Sequence, residues 1–110
     1  MINLEDVALI NKQFSDGKIR NQSGLQYALD QVKATEDWSK QLAHLLRAVV
    51  VENAFEDGNK QTAAYLVLKF ASDRRASISA QKIYDLVIAI AAKRIADIRK
   101  LQRMVKNALI

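Results

Sequence analysis

Residues 36–74 read EDWSKQLAHLLRAVVVENAFEDGNKQTAAYLVLKFASDR, and their pattern decides the fold class. Apolar residues fill positions 42, 43, 45, 46, 48, 49, 50 and 51, so a helix over 36–53 is apolar on nearly every side in its second half. Such a helix belongs in the middle of a bundle. After a break at 56–59, helical spacing resumes over 62–74 with Ala63, Leu66, Val67 and Phe70. Two central helices thus flank a loop that holds one glycine, Gly58.

Working outward, Asn3 is placed to cap a helix over 4–14, where Leu4, Val7, Leu9, Ile10 and Phe14 form an apolar stripe that Asp16-Gly17 ends. Ser23 is the expected cap of a second helix with Leu25, Ala28, Leu29 and Val32. Thr35, Glu36 and Asp37 open the third. Beyond the central pair, Ser77 or Ser79 caps a helix carrying Ile83, Leu86, Val87, Ile90 and Ala91. A last amphipathic helix carries Ile95, Ile98, Leu101, Val105 and Leu109. With no proline and three glycines in 110 residues, the expectation is an all-α fold. It is a single domain, a compact bundle of about six helices spanning residues 1–110.

Composition narrows the function classes. The absence of cysteine removes thiolate metal sites, disulfides and a cysteine nucleophile, and fits a reducing compartment. Arg47, Glu52, Lys69 and Lys93 interrupt every apolar run, so no membrane span is expected. The N-terminal residues show no export signal, and the expected location is the cytoplasm. Of the net charge of +5, the first 57 residues carry six basic against nine acidic side chains and the rest eleven against three. A basic half suits an anionic partner, and equally a solvated helix surface.

The loop between the central helices is the segment with chemistry. Gly58 permits a left-handed backbone or a close approach. The N–H groups of residues 58–61, at a helix start, lack intrahelical acceptors and have the helix dipole behind them, which is what a phosphate needs. Lys60 would add positive charge, and Asp57 could hold Mg²⁺ bridging phosphate oxygens. Phe55 would anchor the loop in the core. The bland alternative is an αα-corner in which Asp57-Gly58 is a turn, Asn59 a cap and Lys60 solvated. A Walker loop is excluded, because Asn53 stands where its first glycine belongs. A calcium loop is excluded by Phe55 and Ala64 at ligand positions.

The segment Phe55-Glu56-Asp57-Gly58-Asn59-Lys60, with Thr62-Ala63 after it, resembles the signature of the Fic/Doc family, and its Asn-Lys pair and short chain resemble the Doc branch. Gly17-Lys18-Ile19-Arg20 before Gly24-Leu25-Gln26-Tyr27-Ala28-Leu29 resembles the family's N-terminal segment, and 66–70 and 83–92 its later helices. The resemblance implies a bundle of about six helices around a phosphate-binding loop. It implies transfer of AMP or a terminal phosphate from a Mg²⁺-bound nucleoside triphosphate to a protein hydroxyl. The implied phosphate-binding residues are Gly58, Asn59, Lys60 and Gln61, with Asp57 on the metal. The implied partners are a separate antitoxin and a target such as a translation elongation factor. Two positions depart from the signature. The catalytic histidine is Asn53, an amide that cannot act as a base near neutral pH, and the closing arginine is Gln61. The resemblance therefore implies transfer that is weakened or lost.

His44, the sole histidine, lies nine residues before Asn53, which on a helix is half a turn out of phase and about 13 Å away. It is expected to face away from the loop, partly buried with a satisfied ring. Trp38, Tyr27, Tyr65 and Tyr84 read as packing or surface residues. Lys93, Arg94, Arg99, Lys100, Arg103 and Lys106 read as a solvated outer face rather than a nucleic-acid surface. The competing function is a non-catalytic binder that sequesters an antitoxin or a nucleotide.

Overall fold

Except for the second central helix, which starts at a glycine, each helix begins where a short polar side chain meets the free N–H groups of a first turn. In the computed structural model, which describes residues 2–109, α1 (Leu4–Asn11) is closed by a reciprocal capping box. Asn3 Oδ1 accepts from Asp6 N and Asp6 Oδ2 accepts from Asn3 N, both at 2.9 Å. The helix stops at Asn11 rather than Phe14, because the Asn11 carbonyl accepts from both Phe14 N and Ser15 N and turns the chain. Phe14 consequently leaves the stripe and lies edge-on to Tyr65, and Leu9 is also exposed.

The second helix, α2 (Gln22–Ala34), takes its cap from Asn21 and not from Ser23. Asn21 Oδ1 accepts from Gly24 N at 3.0 Å, the geometry of a cap three residues before its donor. Asp37 caps α3 (Trp38–Leu46), so the central helix starts two residues later than expected. It does not continue regularly to residue 53: Arg47–Val51 form a π-helical turn, in which Glu52 N reaches back five residues to Arg47 O. The expectation that its second half is apolar on nearly every side and sits inside the bundle holds, with Arg47 the partly buried exception. Leu42, Ala43, Leu45, Leu46 and Val49 have no solvent exposure, and α3 packs on α2, α4 and α6 together.

The second central helix, α4 (Asn59–Asp73), begins directly at Asn59, three residues ahead of the expected 62. Ser79, not Ser77, caps α5 (Ala80–Lys93), accepting from Lys82 N at 3.1 Å. Arg94 then adopts a left-handed conformation, φ 49°, and ends that helix. As a result Ile95 lies before α6 (Ile98–Leu109) instead of inside it, yet it is still buried in the core with Leu101, Val105 and Leu109. The six helices of the described residues fill a volume of 32 × 29 × 26 Å, as an all-α bundle. No helix of the described residues is long and apolar enough to cross a membrane.

Asp37 ties the central helix to the last one. Its Oδ1 accepts from Ser39 N at 3.0 Å and Ser39 Oγ at 2.7 Å, while Oδ2 accepts from Gln102 Nε2 on α6 at 2.9 Å. The Ser39 hydroxyl, helped by the N–H groups of Ser39 and Lys40 and the charge of Lys106, holds this carboxyl below its ordinary value of 3.8 against the opposing effect of burial. A depressed carboxyl stabilises the fold above its unfolded value and ceases to do so as the pH falls through its folded value. Asp37→Ala should therefore cost about 1 kcal/mol in urea unfolding at neutral pH. The gap to the parent protein should narrow as the pH drops below 3.8.

Candidate functional site

The segment joining the central helices is held from both sides. As the π turn runs out, Ala54 N bonds to Ala48 O at 3.1 Å and Asn53 takes a left-handed φ of 51°, which asparagine tolerates better than most residues. Phe55 is fully buried, as its role of anchor requires. Its backbone forms an antiparallel bridge with Ile19, flanked by bonds from Arg20 N to Ala54 O at 2.7 Å and from Glu56 N to Lys18 O at 3.0 Å. The Asn59 side chain closes the loop on itself, accepting from Phe55 N at 3.0 Å and donating to Phe55 O at 2.8 Å. Asn59 thus braces the loop with its amide, and what it offers a ligand is its backbone N–H.

Gly58 sits at the N-cap of α4 with φ 74° and no side-chain cap. A Cβ there would be strained by that φ and would meet Asn11 Nδ2 at 3.0 Å and Ser15 Cβ at 3.2 Å. The first intrahelical bond runs from Thr62 N to Gly58 O at 2.9 Å, so the N–H groups of Asn59, Lys60 and Gln61 have no intrahelical acceptor. Thr62 Oγ1 also donates to Gly58 O, at 2.8 Å. Asn11, with no solvent exposure, completes the arrangement. Its Nδ2 donates to Asp57 O at 2.9 Å and Thr62 Oγ1 at 3.1 Å, and its Oδ1 accepts from Gly17 N at 2.9 Å.

Asn53, Asp57, Gly58, Asn59, Lys60 and Gln61 all line one open groove of about 700 Å³ between the loop, the start of α4 and one face of α5. Two further residues from α5 and its end line it as well: Tyr84, expected to pack or lie on the surface, and Arg94, expected on a solvated outer face. Arg94 thereby adds a second basic residue to the lining beside Lys60. Charge in the groove is mixed, with Lys60 and Arg94 against Glu56 and Asp57. The ion pair of Glu56 with Lys18, 3.9 Å between exposed side chains, contributes little.

Asn59, Lys60 and Gln61, whose N–H groups lack intrahelical acceptors, line the groove with two basic and two acidic residues, and an anion at this helix start would find donors there. No group of three or more His, Cys, Asp or Glu able to hold a metal occurs among the described residues. A cation held here would need oxygens from its ligand and water beside Asp57, and that coordination suits Mg²⁺ on phosphate. His44 lines a different groove, as its helical phase requires. Its ring is not satisfied, contrary to expectation: Nδ1 is buried and has no hydrogen-bond partner.

Asn11 was legible only as a polar residue next to the apolar stripe of α1, a position where a buried hydrogen-bonding role should be suspected. Tyr84 and Arg94 gave no sequence signal, because distant packing brings them to the loop. Asn11→Ala should destabilise the protein by about 1–3 kcal/mol in urea unfolding, because it leaves Gly17 N and Asp57 O without their partner. Gly58→Ala should cost about 1–2 kcal/mol for the left-handed backbone.

Compared with known proteins, the chain matches no family model, no curated protein and no solved structure.

Proposed function

We propose that the groove at the start of α4 binds the phosphates of a Mg²⁺-bound nucleoside triphosphate, and that the protein is a Doc-like member of a toxin–antitoxin pair acting in the cytoplasm. The observation that carries this reading is the convergence of Asn53, Asp57, Gly58, Asn59, Lys60 and Gln61 on one groove, at a helix start with three free N–H groups. The resemblance of these residues to the Fic/Doc signature supplies the reaction class: transfer of a phosphoryl or nucleotidyl group to a protein hydroxyl, for which a translation factor is the proposed target. Control would come from a separate antitoxin.

In this reading the backbone N–H groups of Asn59, Lys60 and Gln61 take phosphate oxygens, and the Lys60 ammonium and Arg94 guanidinium neutralise their charge. Asp57 is the residue that would hold Mg²⁺, which supplies further neutralisation between phosphate oxygens. Asn53 can orient an attacking hydroxyl by hydrogen bonding but cannot remove its proton. Phosphoryl transfer draws most of its acceleration from positioning and charge, so a slow reaction survives without a base. The same Asn53, with Gln61 in place of an arginine, favours the second reading, a binder that sequesters a nucleotide or an antitoxin without chemistry.

Label transfer from α- and γ-labelled ATP into lysate protein with Mg²⁺ separates the two. Label from γ alone means phosphoryl transfer, and label from α means nucleotidyl transfer. Either should rise at least tenfold in Asn53→His, about 1.4 kcal/mol of transition-state stabilisation, and fall to background in Lys60→Ala. Saturable Mg²⁺–ATP binding that Lys60→Ala weakens, with no label from any variant, would leave the non-catalytic binder. ATP binding indifferent to Lys60→Ala and Asp57→Ala, or absent, would overturn the site.

A further inference from the structure

A second groove, of about 540 Å³, lies between α2, α3 and α6 and shares no lining residue with the first. At its base is His44, only 5% exposed, packed edge-to-face on Tyr27 with ring centroids 6.4 Å apart. Three cations line the same groove: Lys40 on α3, Arg47 in the π turn and Arg99 on α6. The one carboxylate there, Asp37, is already taken by neutral donors, its two oxygens accepting from Ser39 and Gln102. Lys18–Glu56 is the only ion pair among the described residues, so no carboxylate lies within 4.0 Å of any of the three cations.

The buried histidine sharpens this imbalance. Burial first, then the charges of Arg47 and Lys40, push its pKa below the ordinary 6.5, so the ring is neutral near pH 7 and carries one proton. A proton on Nδ1 would be a buried donor with no acceptor. We assign it on that ground to Nε2. Nε2–H, two guanidinium forks and an ammonium are then all donors around one concave surface. Asp37 is occupied, and Arg47 makes one long bond, 3.5 Å, to Ala96 O; Lys40 and Arg99 are exposed, so the groove is an open basic surface with a buried histidine beneath it.

We propose that the groove between α2, α3 and α6 binds the phosphate group of a small phosphate-bearing anion, with Arg47, Arg99 and Lys40 meeting its charge and His44 Nε2–H donating to one of its oxygens. A dianion is the better match than a carboxylate, because one negative charge would leave two of the three cations uncompensated. The planar forks of the two arginines suit phosphate oxygens. Tyr27, half exposed at the lip, offers a ring face to any base attached to that phosphate. The bound dianion opposes the charges that act on the imidazole, Arg47 in the π turn and Lys40 on α3, and meets Arg99 of α6 in the same groove. Asp37 at the start of α3 and the neutral Tyr27, Gln31 and Gln102 complete its surroundings. Binding of the dianion should thus raise the histidine's titration midpoint.

The chain has one histidine, so its imidazole carbon-bound proton gives an unambiguous NMR signal. The test is a pH titration of that signal at constant ionic strength with chloride, inorganic phosphate or AMP, in the parent protein, Arg99→Ala and Lys60→Ala. Arg99 is exposed, so its removal leaves the core intact. Phosphate or AMP should raise the midpoint by about one pH unit, a tenfold coupling, relative to chloride. Arg99→Ala should weaken the saturable response about tenfold, whereas Lys60→Ala, in the other groove, should leave it unchanged. Tighter binding of AMP than of phosphate identifies a nucleotide as the source, and equal binding identifies the phosphate alone. A midpoint that neither anion moves, or a shift that persists in Arg99→Ala, overturns the proposal. A response lost in Lys60→Ala but kept in Arg99→Ala would assign the anion to the α4 groove instead.

Discussion

One fully buried side-chain amide, that of Asn11, holds the loop end of the molecule together. From the last residue of α1 it binds the carbonyl of Asp57, the hydroxyl of Thr62 and the N–H of Gly17, and so joins the turn after α1 to the start of α4, about fifty residues away in sequence. An amide buried without those partners would be costly, which makes the arrangement close to all-or-none. Because Asn11 fixes Asp57 and Thr62, it also fixes the glycine between them and the direction in which α4 starts. The close approach of Asn11 to Gly58 explains why a residue without a side chain stands there.

The π turn contributes from the opposite side. A regular helix through residue 53 would carry its backbone bonds straight on. The wider turn at Arg47–Val51 instead lets Ala54 N reach Ala48 O, puts Asn53 into a left-handed conformation and delivers Phe55 to the core in an extended bridge with Ile19. Departures from regular helix of this kind occur often where side chains must be aimed. The chain around Asn53 and Phe55 is held by backbone hydrogen bonds to Ala48, Lys18 and Arg20, and by the Asn59 side chain. The loop is thus preorganised, and a ligand need not order it.

The helices were readable because burial repeats at helical spacing, and the strongest expectation, an all-round apolar central helix, came from a run with almost no polar residue. Boundaries were less readable. Asn21 and Ser23 are both good caps, and only the position of Gly24 N decides between them. Residues 59–61 look polar enough for a loop but are the first turn of α4. Position 14 looks like part of a stripe until the Asn11 carbonyl turns the chain. The loop's candidate residues were legible because they are contiguous in sequence, whereas Tyr84 and Arg94 reach them only through the packing of α4 on α5. Helical phase separated His44 from the loop correctly. That its Nδ1 lacks a partner depends on which residues α2 and α6 bring near, which no local pattern encodes.

If the backbone N–H groups at the start of α4 receive phosphate, as proposed, an amide NMR titration with Mg²⁺–ADP at constant ionic strength should give saturable shifts concentrated at Asn59, Lys60 and Gln61, with a smaller response at Arg94. Shifts absent from these three amides at saturating nucleotide, or confined to other parts of the chain, would contradict that proposal.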